Sequence, residues 1–169
     1  MEVSGNKPIW PVFCDEYELT LDEKNRLFLP ADVRKDLDSE VHGQFLYLTH
    51  DKTGTLLLYP KFVFEEYIRT LPFQILSDPK LEDAARVMLP YTSKVNWDAQ
   101  GRMVLPPKRL AMSKLLGQRE LSLVGKGDHL ELWTRQAWAE QSKMDWEKRA
   151  VILESWRTVA SEVTVKAEP

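Results

Sequence analysis

The sequence predicts an α+β protein made of two similar halves that pack on one another, and three observations point to it. Leu21 to Arg34 reads LDEKNRLFLPADVR and Trp97 to Leu110 reads WDAQGRMVLPPKRL, so a fourteen-residue pattern occurs twice in a chain of 169 residues. Each copy has an Asp, an Arg four residues later, and a three-residue apolar run closed by a proline: Asp22, Arg26 and Pro30, then Asp98, Arg102 and Pro106. An internal repeat of this kind marks one supersecondary unit used twice. Strand and helix patterns also follow in the same order around both copies. Finally, a unit of roughly 75 residues is marginal if it must bury its own core, which favours a single core shared by two.

The elements of the first unit can be justified in order. Residues 1 to 14, with Gly5, Pro8 and Pro11, read as an extended, irregular arm. Glu16 to Thr20 alternates as a strand, Asp22-Glu23-Lys24-Asn25 is a polar quartet that reverses a hairpin, and Arg26 to Leu29 resumes a strand that Pro30 ends. Ala31 to Leu37 suits a short helix with Val33 and Leu37 facing inward. Gln44 to Thr49 and Thr55 to Tyr59 flank a turn signalled by Gly54, and Pro60 introduces a helix over Lys61 to Leu71 with Phe64, Tyr67, Ile68 and Leu71 on one side. A linker helix within Leu76 to Arg86 starts at Pro79.

The second unit repeats the order. Lys94 to Trp97 is a strand, Asp98 to Gly101 a turn, Arg102 to Leu105 a strand, and Pro107 to Leu115 a short helix that Gly117 closes. Glu120 to Val124 and His129 to Trp133 form a hairpin around Gly125-Lys126-Gly127-Asp128. From Gln136 the chain reads as a long helix whose stripe of Ile152, Trp156, Val159 and Val163 is expected to dock on the repeats or on another subunit.

Composition sets the bounds on chemistry. With 43% hydrophobic and 29% charged residues the chain reads as an ordinary folded protein, and it has neither a stretch of about 18 apolar residues nor a basic N-terminal region followed by a hydrophobic run, so a cytoplasmic protein without a membrane span is expected. Cys14, the single cysteine, is expected to be a packing residue, and His42, His50 and His129 share no ligand spacing, so no metal or cofactor is expected. Hydrolase, nucleotide-binding and zinc-protease motifs are missing, and the adjacent acids Asp22-Glu23 and Glu65-Glu66 diverge on a strand or helix, so the chain does not read as an enzyme. Trp97, Trp133 and Trp138 fall in core slots, while Trp10, Trp146 and Trp156 are available for interfaces.

What remains is the doubled corner. One Asp–Arg pair alone is most simply an ion pair across a hairpin, with the Asp capping turn amides. Two copies at equivalent positions instead put two guanidinium forks on one face, and phosphates and base edges are natural partners for such forks. The net charge of −3 weighs mildly against a nucleic-acid partner, but local charge differs: Asp98 to Arg119 sums to +4, whereas Glu18 to Leu37 sums to −1. Arg26 and Arg102, with Lys24 and Arg109 nearby, are therefore the candidate DNA-binding residues, and Asp22, Asp98 and Gly101 the candidate turn residues.

The doubled D-x-x-x-R corner, with LLLYP at Leu56 to Pro60, DAQGRMVLPP at Asp98 to Pro107 and LVGKGDHLELW at Leu123 to Trp133, resembles the MraZ family over Glu16 to Ala139. The resemblance implies two AbrB-like (SpoVT-AbrB) halves that form a swapped-hairpin β-barrel within one chain, and the chain is expected to divide into an arm over 1–15, halves over 16–63 and 91–136, a helical connection over 64–90, and a C-terminal helical extension over 137–169, the arm before Glu16 and the helix beyond Lys143 extending past the usual family limits. It also implies a ring-forming homo-oligomer, associated with the nucleoid, that binds directly repeated double-stranded DNA upstream of a division and cell-wall operon, with Arg26 and Arg102 matching the DNA-contacting arginines. Asn25 and Pro90 stand where the family has glycine. The alternative function is an oligomeric protein-interaction scaffold with the same fold that has lost DNA binding, suggested by the acidic pI of 5.7 and the added helix.

Overall fold

The computed structural model describes residues 10–37, 45–70 and 79–166. Residues up to Thr134 make one compact unit and Arg135 onward a second. In the first unit the chain runs through β1 (Glu16–Thr20), β2 (Arg26–Phe28), α1 (Ala31–Asp36), β3 (Phe45–His50), β4 (Leu56–Pro60), α2 (Lys61–Thr70) and α3 (Pro79–Met88). A 3₁₀ turn over Leu89–Tyr91 leads to β5 (Ser93–Asn96), β6 (Arg102–Val104), α4 (Pro107–Met112), β7 (Glu120–Gly125) and β8 (Leu130–Thr134).

The strands form a six-stranded antiparallel sheet in the order β1-β7-β8-β4-β3-β5, and a separate two-stranded ribbon of β2 and β6. This order is a pseudo-twofold exchange. The first half's β1 pairs with the second half's β7, the second half's β5 pairs with the first half's β3, and the like strands β4 and β8 meet at the centre. The six-stranded sheet is open in its hydrogen bonding, with β1 and β5 as its edges, so a barrel closed by one continuous sheet is not shown. The ribbon lies against both edge strands: β2 follows β1 and β6 follows β5 through a hairpin corner each, and Trp97, just past β5, bridges Met103 of β6.

Strand alternation explains how the layers stack. Leu46, Leu48, Leu56, Leu58, Leu121, Leu123, Leu130 and Leu132 point to one face of the sheet, where they meet Leu27, Leu29, Met103 and Leu105 from the ribbon and its extensions. The other face carries Tyr47, Leu57 and Tyr59, and α2 lies over it with Val63 and Phe64 buried and Phe64 stacked 4.4 Å from Tyr47. Tyr67, expected on that inward stripe, is exposed, and Leu71 lies outside the described residues.

One local ending differs from expectation. The helix after Pro106 stops at Met112, well before Gly117, because Lys114 takes the left-handed conformation (φ 58°). Leu115 N–H then donates to the Leu110 carbonyl at 2.7 Å and Lys114 N–H to Ala111 at 3.1 Å, the paired closure of a Schellman cap, with Leu110 and Leu115 both buried. The arm is tied to the fold at Phe13 by an isolated bridge: this side chain is buried, and Phe13 and Gly127 exchange two backbone hydrogen bonds of 2.7 and 2.9 Å. Cys14 beside it is exposed, not packed as expected.

The second unit is one 32-residue helix, α5 (Arg135–Lys166), about 48 Å long at 1.5 Å per residue. Ile152, Trp156 and Val159 of the expected stripe are exposed, as are Trp146, Val151 and Leu153. Arg149 lies over the Trp146 ring at 4.3 Å.

Candidate nucleic-acid interface

Each corner is built by one aspartate. At the first, Asp22 N–H donates to the Arg26 carbonyl (3.0 Å) and Asn25 N–H to the Asp22 carbonyl (3.0 Å), closing a hairpin turn. Asp22 Oδ1 accepts from the backbone N–H groups of Lys24 (2.8 Å) and Arg26 (2.9 Å), and Oδ2 accepts from Arg26 Nε (2.6 Å). The second corner repeats these bonds: Asp98 N–H to the Arg102 carbonyl at 3.0 Å, Gly101 N–H to the Asp98 carbonyl at 2.8 Å, Oδ1 to the N–H groups of Gln100 and Arg102, and Oδ2 to Arg102 Nε at 2.9 Å. The turn demands a positive φ at its last residue. Gly101 supplies 84° and Asn25 supplies 56°, so asparagine substitutes because its short side chain tolerates this region.

The corners are also locked to one another. Past β2, Leu29 N–H donates to the Gly101 carbonyl at 2.7 Å; past β6, Leu105 N–H donates to the Asn25 carbonyl at 2.8 Å. Each strand therefore ends on the other half's turn. Within the ribbon Arg26 faces Val104, Leu27 faces Met103 and Phe28 faces Arg102. Leu27 and Met103 are buried, so alternation sends Arg26, Phe28, Arg102 and Val104 to the outer face. Arg26 and Arg102 are diagonal neighbours there, with backbones about 7–8 Å apart.

The electrostatics follow from the bonding. The backbone N–H of Arg26 and then its side chain hold the Asp22 carboxyl below its ordinary value; at Asp98 the Arg102 N–H leads and the Gln100 N–H adds to it. Ionised aspartates fix each guanidinium through its Nε edge. Among the described residues the remaining terminal amino donors of Arg26 and the Nη1 of Arg102 have no protein partner, a geometry suited to an external anion or acceptor pair.

Of the other candidates, Lys24 is exposed at the first corner. Arg109 is elsewhere and 8% exposed: its Nε donates to Ser93 Oγ at 2.9 Å and one amino group to the Pro90 carbonyl at 3.0 Å, which ties α4 to the 3₁₀ turn. Sequence reasoning counted Arg34 only as charge. It packs against the second corner, where a Cβ on Gly101 would come 2.6 Å from Arg34 Nε. The only signal for it was its place on α1, one turn beyond Pro30. Among the described residues no group of three His, Cys, Asp or Glu side chains could hold a metal ion, and no helix is long and apolar enough to cross a membrane.

Two halves that exchange edge strands and jointly carry a ribbon with paired Asp–Arg corners define a duplicated, pseudo-twofold β-ribbon protein. The chain matches the family model for MraZ protein over residues 12–87 and again over 88–151, one match to each half. It belongs to the MraZ family. It is 32% identical over 127 residues to the Transcriptional regulator MraZ of Herpetosiphon aurantiacus, covering 75% of this chain and 84% of that protein. The Transcriptional regulator MraZ of Alcanivorax borkumensis is 29% identical (76% and 87% covered) and that of Neisseria meningitidis serogroup C 31% identical (75% and 83% covered).

Proposed function

We propose that the chain is a transcriptional regulator, not an enzyme, that binds double-stranded DNA through the outer face of the β2–β6 ribbon. The observation that carries this reading is the presence of two Asp-anchored guanidinium forks, Arg26 and Arg102, on one face of a two-stranded ribbon. A ribbon of this width enters the major groove, which is about 12 Å across. Lys24 adds a phosphate contact beside Arg26, and Arg102, in the more basic segment with Arg34 against its turn, makes the stronger contact. Arg109 contributes by holding α4 in place. The names of the relatives support the regulatory role. The reading extends to a cytoplasmic, nucleoid-associated homo-oligomer, a ring, acting on direct repeats in the promoter of a division and cell-wall operon.

The test is duplex binding as a function of salt. Arg102→Ala is expected to weaken binding by about 1–3 kcal/mol if the fork reads a base, or to reduce the salt slope by about 0.9 if it neutralises one phosphate. An unchanged affinity and slope removes Arg102 from the interface. The exposed Trp146, Ile152, Trp156 and Val159 of α5 favour a second reading, a protein-interaction scaffold. A scaffold retains no duplex at about 50 mM salt, where electrostatic binding is strong.

A further inference from the structure

The ribbon's outer face holds more than two arginines. Phe28 is 59% exposed and Val104 55% exposed, each directly opposite an arginine: Phe28 faces Arg102, and Val104 faces Arg26. Neither side chain serves the core, whose side of the ribbon is filled by Leu27 and Met103. A single exposed apolar residue needs no explanation. Here two stand at pseudo-equivalent positions, each with its Cβ about 4.5–5.5 Å from that of an anchored arginine, on the face whose charge calls for nucleic acid.

In the major groove two different bases offer the matching features. Guanine presents two acceptors to an arginine fork, and thymine presents a C5-methyl group to an apolar side chain. The cross-strand spacing of about 4.5–5.5 Å lies between one and two steps of about 3.4 Å along a DNA strand, so the two facing side chains reach neighbouring bases. Resting on the DNA-binding reading above, we infer that Phe28 and Val104 determine specificity by packing on the methyl groups of thymines adjacent to the bases reached by Arg102 and Arg26. The pseudo-twofold relation of the two pairs makes the contacted steps run in opposite directions on the two DNA strands. Phe28, with the larger side chain, carries more of the discrimination.

The experiment separates this inference from the reading beneath it. Duplexes are selected from a random-sequence pool on the full-length wild-type chain and then synthesised with thymine or with deoxyuridine, which lacks only the methyl group. The wild type is expected to bind the uracil duplex about fourfold more weakly for each contacted methyl, the factor that corresponds to about 0.8 kcal/mol of apolar burial. Phe28→Ala and, independently, Val104→Ala are expected to narrow that ratio toward one, whereas Arg102→Ala weakens binding to both duplexes and leaves the ratio. Equal wild-type affinity for the two duplexes, with Arg102 still required, overturns the inference and leaves DNA binding by the ribbon intact. A ratio unchanged in both alanine variants overturns it as well, and if Phe28→Ala at the same time lowers the mass in solution, the face belongs to a second copy of the chain. If the wild type selects no duplex, the DNA-binding reading falls and this inference with it.

Discussion

At the scale of single residues, the two corners show how one carboxylate can do two jobs. Oδ1 closes the backbone turn and Oδ2 aims the arginine, so a change at Asp22 or Asp98 acts on both. Because native bonding depresses both acids, their contribution to stability is complete above the ordinary carboxylate value of 3.8 and is lost as pH falls through the lower folded-state values. Urea midpoints measured across that acid range should therefore fall less steeply in the Asp22→Asn, Asp98→Asn double variant than in the wild type. Gly101→Ala meets two penalties, a φ of 84° and a Cβ 2.6 Å from Arg34 Nε. A loss of about 1–2 kcal/mol is expected from the backbone alone. Adding Arg34→Ala should recover only the steric part, which a double-mutant cycle reads directly. The Asp, Arg and Gly of these corners were legible because turns have local signatures. The position of Arg34 over Gly101 was not, since it depends on a packing between halves 67 residues apart.

At the scale of elements, local patterning gave strand and helix identities well and their endings less well. Gly117 carries the stop signal for α4 in the sequence, yet the helix ends at Met112 and turns at the left-handed Lys114, since burying Leu115 against Leu110 fixes where the chain must reverse. Lys114→Gly relieves the left-handed strain at that cap, and a gain of about 1 kcal/mol is expected in chemical denaturation. By its local sequence Gly125 belongs to a hairpin turn. Its second role is invisible locally: a Cβ there would come 2.7 Å from the backbone of Cys14. Gly125→Ala should push the arm off the β7 edge and cost about 1–3 kcal/mol, with faster amide exchange at Phe13 and Gly127 as the element-specific sign. The charge count that nominated Arg109 likewise missed its burial, because a sum over a segment does not say which way a helix is turned.

At the scale of the whole molecule, the repeat foretold a shared core but not an open sheet. Which strand lies beside which is set by pairings between halves, and the sequence period carries no information about them. The pairings β1–β7 and β5–β3 mean that neither half owns a complete sheet. Residues 1–88 alone should show no concentration-independent unfolding transition; any cooperative melt should shift with protein concentration, because a lone half can complete its sheet only with another copy. The exposed apolar residues of α5 carry a separate expectation. A chain ending at Lys143 should assemble with fewer subunits per particle by sedimentation than the full chain, and an unchanged subunit number would sink the view that this helix sets oligomer size.

The exchange of edge strands also has a consequence in time. Thr20 pairs with Glu120, a hundred residues further along the chain. At about 5–20 residues per second, a ribosome needs roughly 5–20 s to make that stretch. Through this interval the nascent β1 has no partner of its own, while finished chains nearby already have theirs. On a crowded polysome, where neighbouring copies are at the same stage, β1 of one chain and β7 of another become available together. Rapid translation between Thr20 and Glu120 therefore favours closure within one polypeptide, and a cluster of slow codons there would promote swapping between siblings.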